Sequence, residues 1–312
     1  MSDDGRQALA LIFMLGSVFS PRYAAARARG AGHHPLDFAA VNAAVYGDSQ
    51  AARRWSLTER CGASRAPDTL RVGNSQLRWE GDGLCVAVDE RTAPFPGRIR
   101  GRVTLRAQRW HGEPRALDEA GRHMWWPIAP GGRAEVELEE PRLRFEGTAY
   151  LDANTGDRGL EEDFTSWSWL RAVGRRDVRV VYDVVPRTVP GPRGVAAHSV
   201  VAAGSAPATP PAPRRLALQF TDQGATTALG PLRAASLPRT RWGLTRPVRH
   251  DGLDPPRVLR TLEDTPFYAR SLVDVGLGGE RRLAMHESLD LERFRARWVR
   301  ALLPFRMRTV PR

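Results

Sequence analysis

Hydrophobic and polar residues alternate over many short stretches of the chain, and Gly, Pro, Asn and Asp separate these stretches. Residues two apart in an extended strand share a face, so this period of two predicts β-strands with one buried side. Evenly spaced short strands favour β-sandwiches or barrels. The pattern predicts strands over residues 8–19, 38–46, 54–60, 76–80, 84–89, 98–105, 133–138, 142–152, 164–171, 178–185, 214–220, 240–248, 257–262, 267–275 and 281–289.

The end of the chain has a helical period instead. Over residues 289–303 apolar side chains recur at steps of three and four, which predicts a helix that Asp290 caps and Pro304 ends. Arginines cover the rest of this helix, which either packs on the β-structure with a solvated basic face or lies on an anionic membrane surface. These two interpretations are compatible. The predicted apolar side consists of Leu291, Phe294, Trp298, Ala301 and Leu302.

The strands divide into two sets near the turn-forming sequence Glu139-Glu140-Pro141. We therefore predict a first domain over residues 1–140 and a second over residues 141–312. The Pro-rich segment 202–213 (AAGSAPATPPAP) is typical of a loop between strands. The most apolar stretch, residues 8–19, is shorter than the ~20 residues that span a bilayer, so we expect a buried strand there and only peripheral membrane contact.

Composition and charge narrow the class of protein. The chain has 312 residues, of which 42% are hydrophobic, so it can bury a sizeable core. Its net charge of +12 favours an acidic partner, and every basic residue is Arg. Because no nucleic-acid-binding motif is present, anionic lipid is the preferred partner and nucleic acid is not. The two cysteines have neither metal-ligand nor disulfide-framework spacing, which indicates a reducing compartment and no metal site.

Two stretches carry candidate chemistry, GRHMWWPIAP (residues 121–130) and GTAYLDANTGD (residues 147–157). In strands, His123 shares a face with Trp125, and Tyr150 shares a face with Asp152. Facing one cavity, these four residues suit acid chemistry on an alkene. An apolar pocket raises the pKa of a carboxyl group, so Asp152 is the candidate proton donor. The rings of Trp125 and Tyr150 can stabilise a carbocation, and His123 or ionised Asp152 can take a proton from water.

Structural interpretations of the same residues remain open. An Asp beside Asn and Gly often shapes a turn, Trp125 can be a core residue, and His123 can be a hydrogen-bonded core histidine. Glu287 and His286 fall on opposite strand faces and do not form a dyad. Four residues are assigned to substrate binding or cavity lining: Asn154, Trp126, Trp167 and Trp169.

The same two stretches resemble the acyclic carotenoid 1,2-hydratases, also called hydroxyneurosporene synthases. Further matching runs extend the resemblance over nearly the whole chain: LGSVFSPRYA (residues 15–24), HPLDFAAVNAAVYG (34–47), LRWEGDGLCVAVDE (77–90), TLEDTPFYARSL (261–272) and AMHESLDLERF (284–294). The resemblance implies an all-β fold of two lipocalin-like β-barrel or sandwich domains with a short C-terminal helix. It also implies catalytic roles for His123, Trp125, Tyr150 and Asp152.

The resemblance implies a function as well: addition of water to the terminal C1=C2 double bond of neurosporene or lycopene, without a cofactor, in phototrophic bacteria. A cytoplasmic location with peripheral contact to the intracytoplasmic membrane is implied too. Family members usually carry an aromatic-rich strand before the SDDG segment at residues 2–5, so either the start codon is misassigned or this strand is absent, and its absence would leave an open edge in the first domain. The alternatives are a lipocalin-like carotenoid or isoprenoid carrier without chemistry, a cofactor-free polyene cyclase and, from charge alone, a nucleic-acid binder.

Overall fold

The computed structural model describes residues 1–30, 34–48, 53–188 and 212–310. The predicted loop at 202–213 lies outside the described residues except for its last two positions. The chain is all-β with a few short helices, as the alternation predicted. Its helices are α1 (Pro21–Ala28), α2 (Leu160–Asp163), α3 (Leu291–Arg295) and α4 (Arg297–Arg306). Its strands are β1 (Ala8–Met14), β2 (Ala39–Tyr46), β3 (Arg54–Arg60), β4 (Ser64–Arg65), β5 (Thr69–Val72), β6 (Ser75–Glu80), β7 (Gly83–Arg91), β8 (Arg98–Ala107), β9 (Arg115–Ala116), β10 (His123–Glu140), β11 (Leu143–Gly156), β12 (Phe164–Val173), β13 (Asp177–Pro186), β14 (Arg214–Thr221), β15 (Thr226–Ala228), β16 (Arg233–Leu237), β17 (Arg246–His250), β18 (Arg257–Asp264), β19 (Tyr268–Gly276), β20 (Arg281–Asp290) and β21 (Arg308–Val310).

Two sheets form the first half of the fold. A four-stranded sheet has the order β1-β2-β3-β21, and an eight-stranded sheet has the order β11-β10-β8-β7-β6-β5-β4, with β9 paired to β10. Alternate side chains fill the space between them; for example, Val45 packs in one cluster with Leu84, Val86 and Ile99. Each fully buried aliphatic side chain contributes about 1.5–3 kcal/mol to this core.

A seven-stranded sheet forms the second half, in the order β15-β14-β13-β12-β20-β19-β18. The β16–β17 hairpin covers its outer face, where Leu170 and Val273 meet Val248. Its inner face carries Trp169 and Tyr182, which pack in one cluster with Trp125 of β10. The inner face of this sheet therefore meets the β10–β11 end of the eight-stranded sheet.

The β10–β11 hairpin spans the predicted domain boundary at 140/141. β11 pairs with β10 from Leu143 to Gly156, so the strand assigned by sequence to the second domain belongs to the first domain's sheet. The change from one sheet to the other comes later, at α2. The last strand of the chain returns to the first half of the fold, where β21 pairs in parallel with β3.

Two predicted strands are shorter than the alternation indicated. The strand predicted at 8–19 ends at Met14, and Gly16 follows with φ of +72°, a left-handed conformation that ends the strand in a turn. In the stretch predicted at 240–248, only Arg246 and the residues after it are extended, because Thr240 and Leu244 close a turn by a backbone hydrogen bond.

The C-terminal helix begins as predicted but is divided in two. Asp290 caps α3 by accepting a hydrogen bond from the backbone N–H of Arg293 at 2.9 Å. Ala296 has an extended backbone and separates α3 from α4. The prediction that Pro304 ends the helix is wrong, because α4 continues through it to Arg306. Within the described ranges, no helix has the length and apolarity needed to cross a membrane.

The break at Ala296 changes which apolar side chains are buried. Leu291 and Phe294 of α3 pack in the interior, and Val299 of α4 joins them. Trp298 and Leu302, which the continuous helix would have buried, are 51% and 42% exposed. Ala301 is exposed as well. An interrupted helix cannot keep one face with a 3.6-residue period directed at the core. The side of α4 that faces the core therefore differs from the one that a continuous helix would present.

Candidate active site

Trp125, Tyr150 and Asp152 form one hydrogen-bonded group. β10 and β11 run antiparallel with Trp125 opposite Asn154, so the side chains of Tyr150, Asp152 and Asn154 project on the side of Trp125. The indole Nε1–H of Trp125 donates to Oδ2 of Asp152 at 3.0 Å and to the Tyr150 hydroxyl at 3.2 Å. The Tyr150 hydroxyl donates to the same Oδ2 at 3.0 Å. The spacing in the sequence predicted that Tyr150 and Asp152 share a face, and the structure adds Trp125 to them.

The hydrogen bonds to the Asp152 carboxyl group fall on one oxygen. Trp125, Tyr150 and, at 3.5 Å, the Asn154 amide all donate to Oδ2. Oδ1 is therefore the oxygen on which the acid can carry its proton. Burial raises the pKa of Asp152 from 3.8 to about 6, although the hydrogen bonds from Tyr150 and Trp125 oppose the increase. Asp152 is thus a carboxyl group that can donate a proton near neutral pH.

Aromatic rings surround this acid from both sheets. Tyr150 contacts Trp169 of β12 at a centroid distance of 5.0 Å, and Trp125 contacts Tyr182 of β13 at 5.6 Å. Trp167 continues the group, 5.7 Å from Tyr182. Tyr268 of β19 follows, 6.4 Å from Trp167. The site therefore lies between the eight-stranded and seven-stranded sheets, in a setting that favours an apolar ligand and stabilises positive charge.

Several of these side chains are only partly buried in the region between the two sheets, which we call the gap. Tyr150, Asp152 and Trp167 keep some accessible surface although they lie where the two sheets meet. Three donors in the same region, Trp167 Nε1, Trp169 Nε1 and the Tyr268 hydroxyl, are buried without a hydrogen-bond partner in the described part of the chain. Buried donors without a protein partner indicate a place where a ligand or water binds.

Arg171 joins the two sheets next to this group. Its Nε donates to the Pro130 carbonyl at 2.8 Å and its Nη2 to the Ala149 carbonyl at 2.6 Å. Its guanidinium lies 5.5 Å from the centre of the Tyr150 ring. Burial lowers the pKa of Arg171 to about 10, so it stays cationic at neutral pH. Arg171 therefore fixes the backbone of the acid-bearing strand β11 and of its neighbour β10.

His123 lies on the same strand as Trp125 but is bonded elsewhere. It is 1% exposed, and its Nε2 is 2.8 Å from Oδ2 of Asp163 at the end of α2. Asp163 also accepts from Nε of Arg158 at 2.7 Å, and this guanidinium, helped by His123, lowers the pKa of Asp163 to about 2. A Cβ at Gly156, opposite His123, would come within 2.7 Å of Nδ1, so glycine is needed there for the ring to fit. Among the described contacts, none joins His123 to Asp152.

Of the four residues assigned to substrate binding, three lie at the cluster. Trp167 and Trp169 line it, and Asn154 reaches Asp152 from an exposed position. Trp126 does not belong to it, because strand alternation turns its ring to the opposite side from Trp125. There it is 37% exposed and donates from Nε1 to the His111 carbonyl at 2.6 Å.

Sequence reasoning missed four residues at the site: Arg171, Tyr182, Tyr268 and Glu287. A usable signal existed for Glu287, because it shares its strand face with the apolar residues Met285 and Leu289. The prediction that His286 and Glu287 lie on opposite strand faces agrees with the structure, where Nε2 of His286 is 2.8 Å from the Pro247 carbonyl on the outer hairpin.

In the described ranges, no cluster of three or more His, Cys, Asp or Glu side chains is arranged to hold a metal ion.

Fold and site together define a class of protein: an all-β protein with a carboxylic acid of raised pKa among aromatic rings from two sheets. A family model described as "Carotenoid hydratase CrtC" matches residues 11–216 and 209–312. An acyclic carotenoid 1,2-hydratase from Thiocapsa roseopersicina is 43% identical over 98% of this chain and 70% of the relative. Proteins of the same name from Rubrivivax gelatinosus and Cereibacter sphaeroides are 40% and 33% identical, over 98% and 95% of this chain and 71% and 97% of theirs. Among solved structures, the crystal structure of CghA with Sch210972 aligns with a TM-score of 0.45 at 15% identity, over 81% of this chain and 84% of that one.

The chain belongs to the carotenoid hydratase family. Its relatives come from photosynthetic bacteria. Carotenoid hydration, the reaction of a hydro-lyase, is the activity that this membership supports.

Proposed function

We propose that this protein adds water to the terminal C1=C2 double bond of an acyclic carotenoid such as neurosporene or lycopene, with Asp152 as the proton donor. The observation that carries the proposal is the position of Asp152, a partly buried carboxyl group with a raised pKa, among aromatic rings from two sheets. A trisubstituted alkene is protonated only by an acid held in its neutral form, and burial in an apolar site provides that.

In the first step the proton on Oδ1 of Asp152 goes to C2 of the substrate. The two electrons of the double bond form the new C–H bond, and a tertiary carbocation is left at C1. The ring faces of Trp125, Tyr150 and Trp169 can stabilise that cation by about 2 kcal/mol or more where water is excluded. The carboxylate left on Asp152 keeps its hydrogen bonds from Trp125 and Tyr150, which stabilise the new negative charge.

In the second step water attacks C1, and a base removes one of its protons to give the tertiary alcohol. The Asp152 carboxylate, formed in the first step, is one such base. Proton donor, cation-stabilising rings and base are all side chains of this chain, so we propose that the reaction needs neither a metal nor an organic cofactor. Full activity of chelator-treated protein is the expected result.

The test is turnover of lycopene incorporated in liposomes, with and without water labelled with ¹⁸O. We expect a product heavier by one water that carries the label, and no product from Asp152→Asn although the variant folds. Unchanged lycopene that co-purifies with the wild-type protein would instead indicate a carrier. A product of unchanged mass and altered absorption would indicate a cyclase.

We also propose that the C-terminal helices dock on an anionic membrane from the cytoplasmic side, where the substrate is dissolved. Trp298, Leu302 and Phe305 form one stripe along α4, with Phe305 77% exposed, and Trp242 stacks on Trp298 at 6.4 Å. We call these four residues the apolar stripe. Exposed arginines at 295, 297 and 308 accompany it. Aromatic and leucine side chains beside arginines are typical of helices that lie at the headgroups of anionic lipids.

A further inference from the structure

A second carboxylate faces the same gap as Asp152. Glu287 of β20 lies directly opposite Trp169 of β12, and the Trp169 ring contacts Tyr150, whose hydroxyl donates to Asp152. Residues that pair directly across antiparallel strands project on the same face. Met285, two positions from Glu287 on that face, packs against the interior cluster. Glu287 therefore approaches the acid from the seven-stranded sheet, across the gap from β11.

The Glu287 carboxylate is bound by a guanidinium. Nε of Arg270, itself 5% exposed, donates to Oε1 of Glu287 at 2.8 Å. Arg270 uses its Nη1 for Glu263 at 3.1 Å and for the Tyr46 hydroxyl at 2.6 Å, so it engages Glu287 through one carboxylate oxygen only. The other carboxylate oxygen, Oε2, is therefore the one that is available to a water molecule.

Asp152 and Glu287 are thus two carboxyl groups in different surroundings, because Asp152 accepts from Trp125 and Tyr150 whereas Glu287 accepts from Arg270. Burial and, to a lesser extent, the nearby Glu287 raise the pKa of Asp152. The other charged or titratable side chains around this pair are Tyr150, Tyr182, Tyr268, Arg171 and Arg270, and Glu263 binds Nη1 of Arg270. A carboxylic acid with a raised pKa and a carboxylate bound to a guanidinium are suited to act as proton donor and proton acceptor of one reaction.

Two orphaned donors are placed to hold the water between Glu287 and the substrate. Trp169 lies opposite Glu287 in the sheet, and its Nε1–H has no hydrogen-bond partner among the described residues although the side chain is 7% exposed. The Tyr268 hydroxyl, on the strand on the other side of β20, is likewise buried and without a partner in the described ranges. A water molecule that accepts from these donors can donate one of its own protons to the carboxylate.

We infer that Glu287 is the general base that deprotonates the attacking water, with Trp169 and Tyr268 positioning that water. This assignment rests on the proposed hydration and deepens it. Asp152 protonates C2, the water oxygen forms its bond to C1, and a water proton passes to Glu287. That proton then returns to Asp152 through solvent, so one turnover consumes one alkene and one water. Asp152 therefore need not act as acid and base from the same position.

The decisive experiment follows lycopene in deuterated water with wild-type protein, Glu287→Gln and Asp152→Asn. Removing a general base slows its step by about 100-fold or more. We expect Glu287→Gln to lose alcohol formation by that factor, while deuterium still enters the recovered lycopene. The reason is that Asp152 still forms the cation, which then loses a proton and returns to alkene. Asp152→Asn should show neither alcohol nor deuterium exchange.

Glu263→Gln is the matched control, because it also removes a carboxylate from Arg270 but not the one opposite Trp169. We expect it to hydrate lycopene within a few fold of the wild-type rate. Glu287→Asp keeps the charge but withdraws the carboxylate, so it should hydrate at least about tenfold more slowly with normal exchange. If Glu287→Gln does not fold, Glu287→Asp tests the role of Glu287 in its place.

Three results bear on the assignment. Near wild-type hydration by Glu287→Gln or Glu287→Asp would overturn it. Equal losses of hydration and exchange in a folded Glu287→Gln would also overturn it, because Glu287 would then serve the first step or the structure. If the wild-type protein forms no alcohol at all, it is the proposed hydration that fails, and the two failures are therefore distinguishable.

Discussion

The Tyr150 hydroxyl and Oδ2 of Asp152 lie 3.0 Å apart on one face of β11, and the indole N–H of Trp125 donates to both. These donors stabilise the carboxylate, whereas burial stabilises the neutral acid and has the larger effect, so the pKa of Asp152 rises to about 6. Because the acid must be protonated to act, activity should fall as the pH rises above about 6, by tenfold per unit.

Replacing Tyr150 by Phe should move this decline to higher pH. The substitution keeps the ring but removes one of the hydrogen bonds that lower the pKa of Asp152, so the acid stays protonated further into the alkaline range. We expect a lower maximal rate as well, since the carboxylate formed in the first step loses a donor worth about 1.5–3 kcal/mol. The measurement is kcat/KM for lycopene between pH 5 and pH 9.

Tyr182→Phe is the matched control for that profile. Tyr182 belongs to the same aromatic group, 5.6 Å from Trp125, but within the described contacts its hydroxyl makes no hydrogen bond to Asp152. Its profile should decline near the wild-type pH. A Tyr150→Phe profile that declines at or below the wild-type pH would contradict the role given to the hydroxyl.

The same pKa predicts how Asp152→Asn affects stability. In the unfolded chain the pKa is near the ordinary value of 3.8, whereas in the folded protein it is about 6. Between these values the folded state binds more protons than the unfolded state, so wild-type stability falls as the pH rises through this window and stays lower above it. Asparagine has no charge to bury, so the unfolding free energy of Asp152→Asn should rise relative to that of the wild type from pH 4 to pH 7.

Between pH 4 and pH 7 the difference in unfolding free energy between Asp152→Asn and the wild type should change by about 1–3 kcal/mol, since one pKa unit corresponds to about 1.4 kcal/mol. Urea denaturation of both proteins at each pH measures it, and the subtraction cancels groups that the two proteins share. A difference that does not vary with pH would mean that the pKa of Asp152 is not raised in the folded protein.

How far the sequence predicts the site depends on whether residues share a strand. Period-two alternation was sufficient to place Tyr150, Asp152 and Asn154 on one strand face, but their position beside Trp125 depends on the pairing of β10 with β11. The same rule excludes Trp126, whose neighbour Trp125 takes the inward side. Alternation also orients Glu287 inward, but it does not indicate which strand lies opposite. That requires the order β12-β20-β19, which depends on pairings between distant segments.

Helix continuity and partner choice were less predictable. Nothing in the apolar period of residues 289–303 indicates that Ala296 becomes extended, yet that single residue decides whether Trp298 is buried. His123 fits the chemical pattern as a base, but α2 brings Asp163 to it, and this contact depends on the turn between two sheets. The resemblance implies a catalytic role for His123, while the geometry gives it a structural partner.

Replacing His123 by Gln separates these two roles. The variant loses a bond to a charged partner, which should reduce unfolding free energy by about 1.5–3 kcal/mol. Asp163→Asn should reduce it by at least as much, because it also removes the charge that Arg158 binds. Because neither change touches the hydrogen bonds of Asp152, the pH at which activity declines should remain that of the wild type. A His123→Gln protein of normal stability that forms no alcohol would assign His123 to the chemistry instead.

Membrane docking predicts a separable loss of substrate access. Trp298→Ser combined with Phe305→Ser removes the most exposed aromatic part of the apolar stripe and leaves the arginines and the interior residue Val299 in place. We expect binding to anionic liposomes to fall by about tenfold or more, because each ring buries apolar area at about 25 cal/mol per Å².

Flotation with zwitterionic vesicles measures the apolar contribution to membrane binding, and flotation with anionic vesicles adds the charge-dependent contribution. Turnover of lycopene supplied in liposomes should fall with binding, whereas turnover in detergent micelles should not. Leu253→Ser is the matched control, since Leu253 is 91% exposed but lies in the loop after β17, near Gly276 and so at the opposite end of β19 from the α3 contact of Phe267 with Phe294. Unchanged flotation of the double variant, together with a change from dimer to monomer in sedimentation, would instead assign the stripe to contact between two copies of the chain.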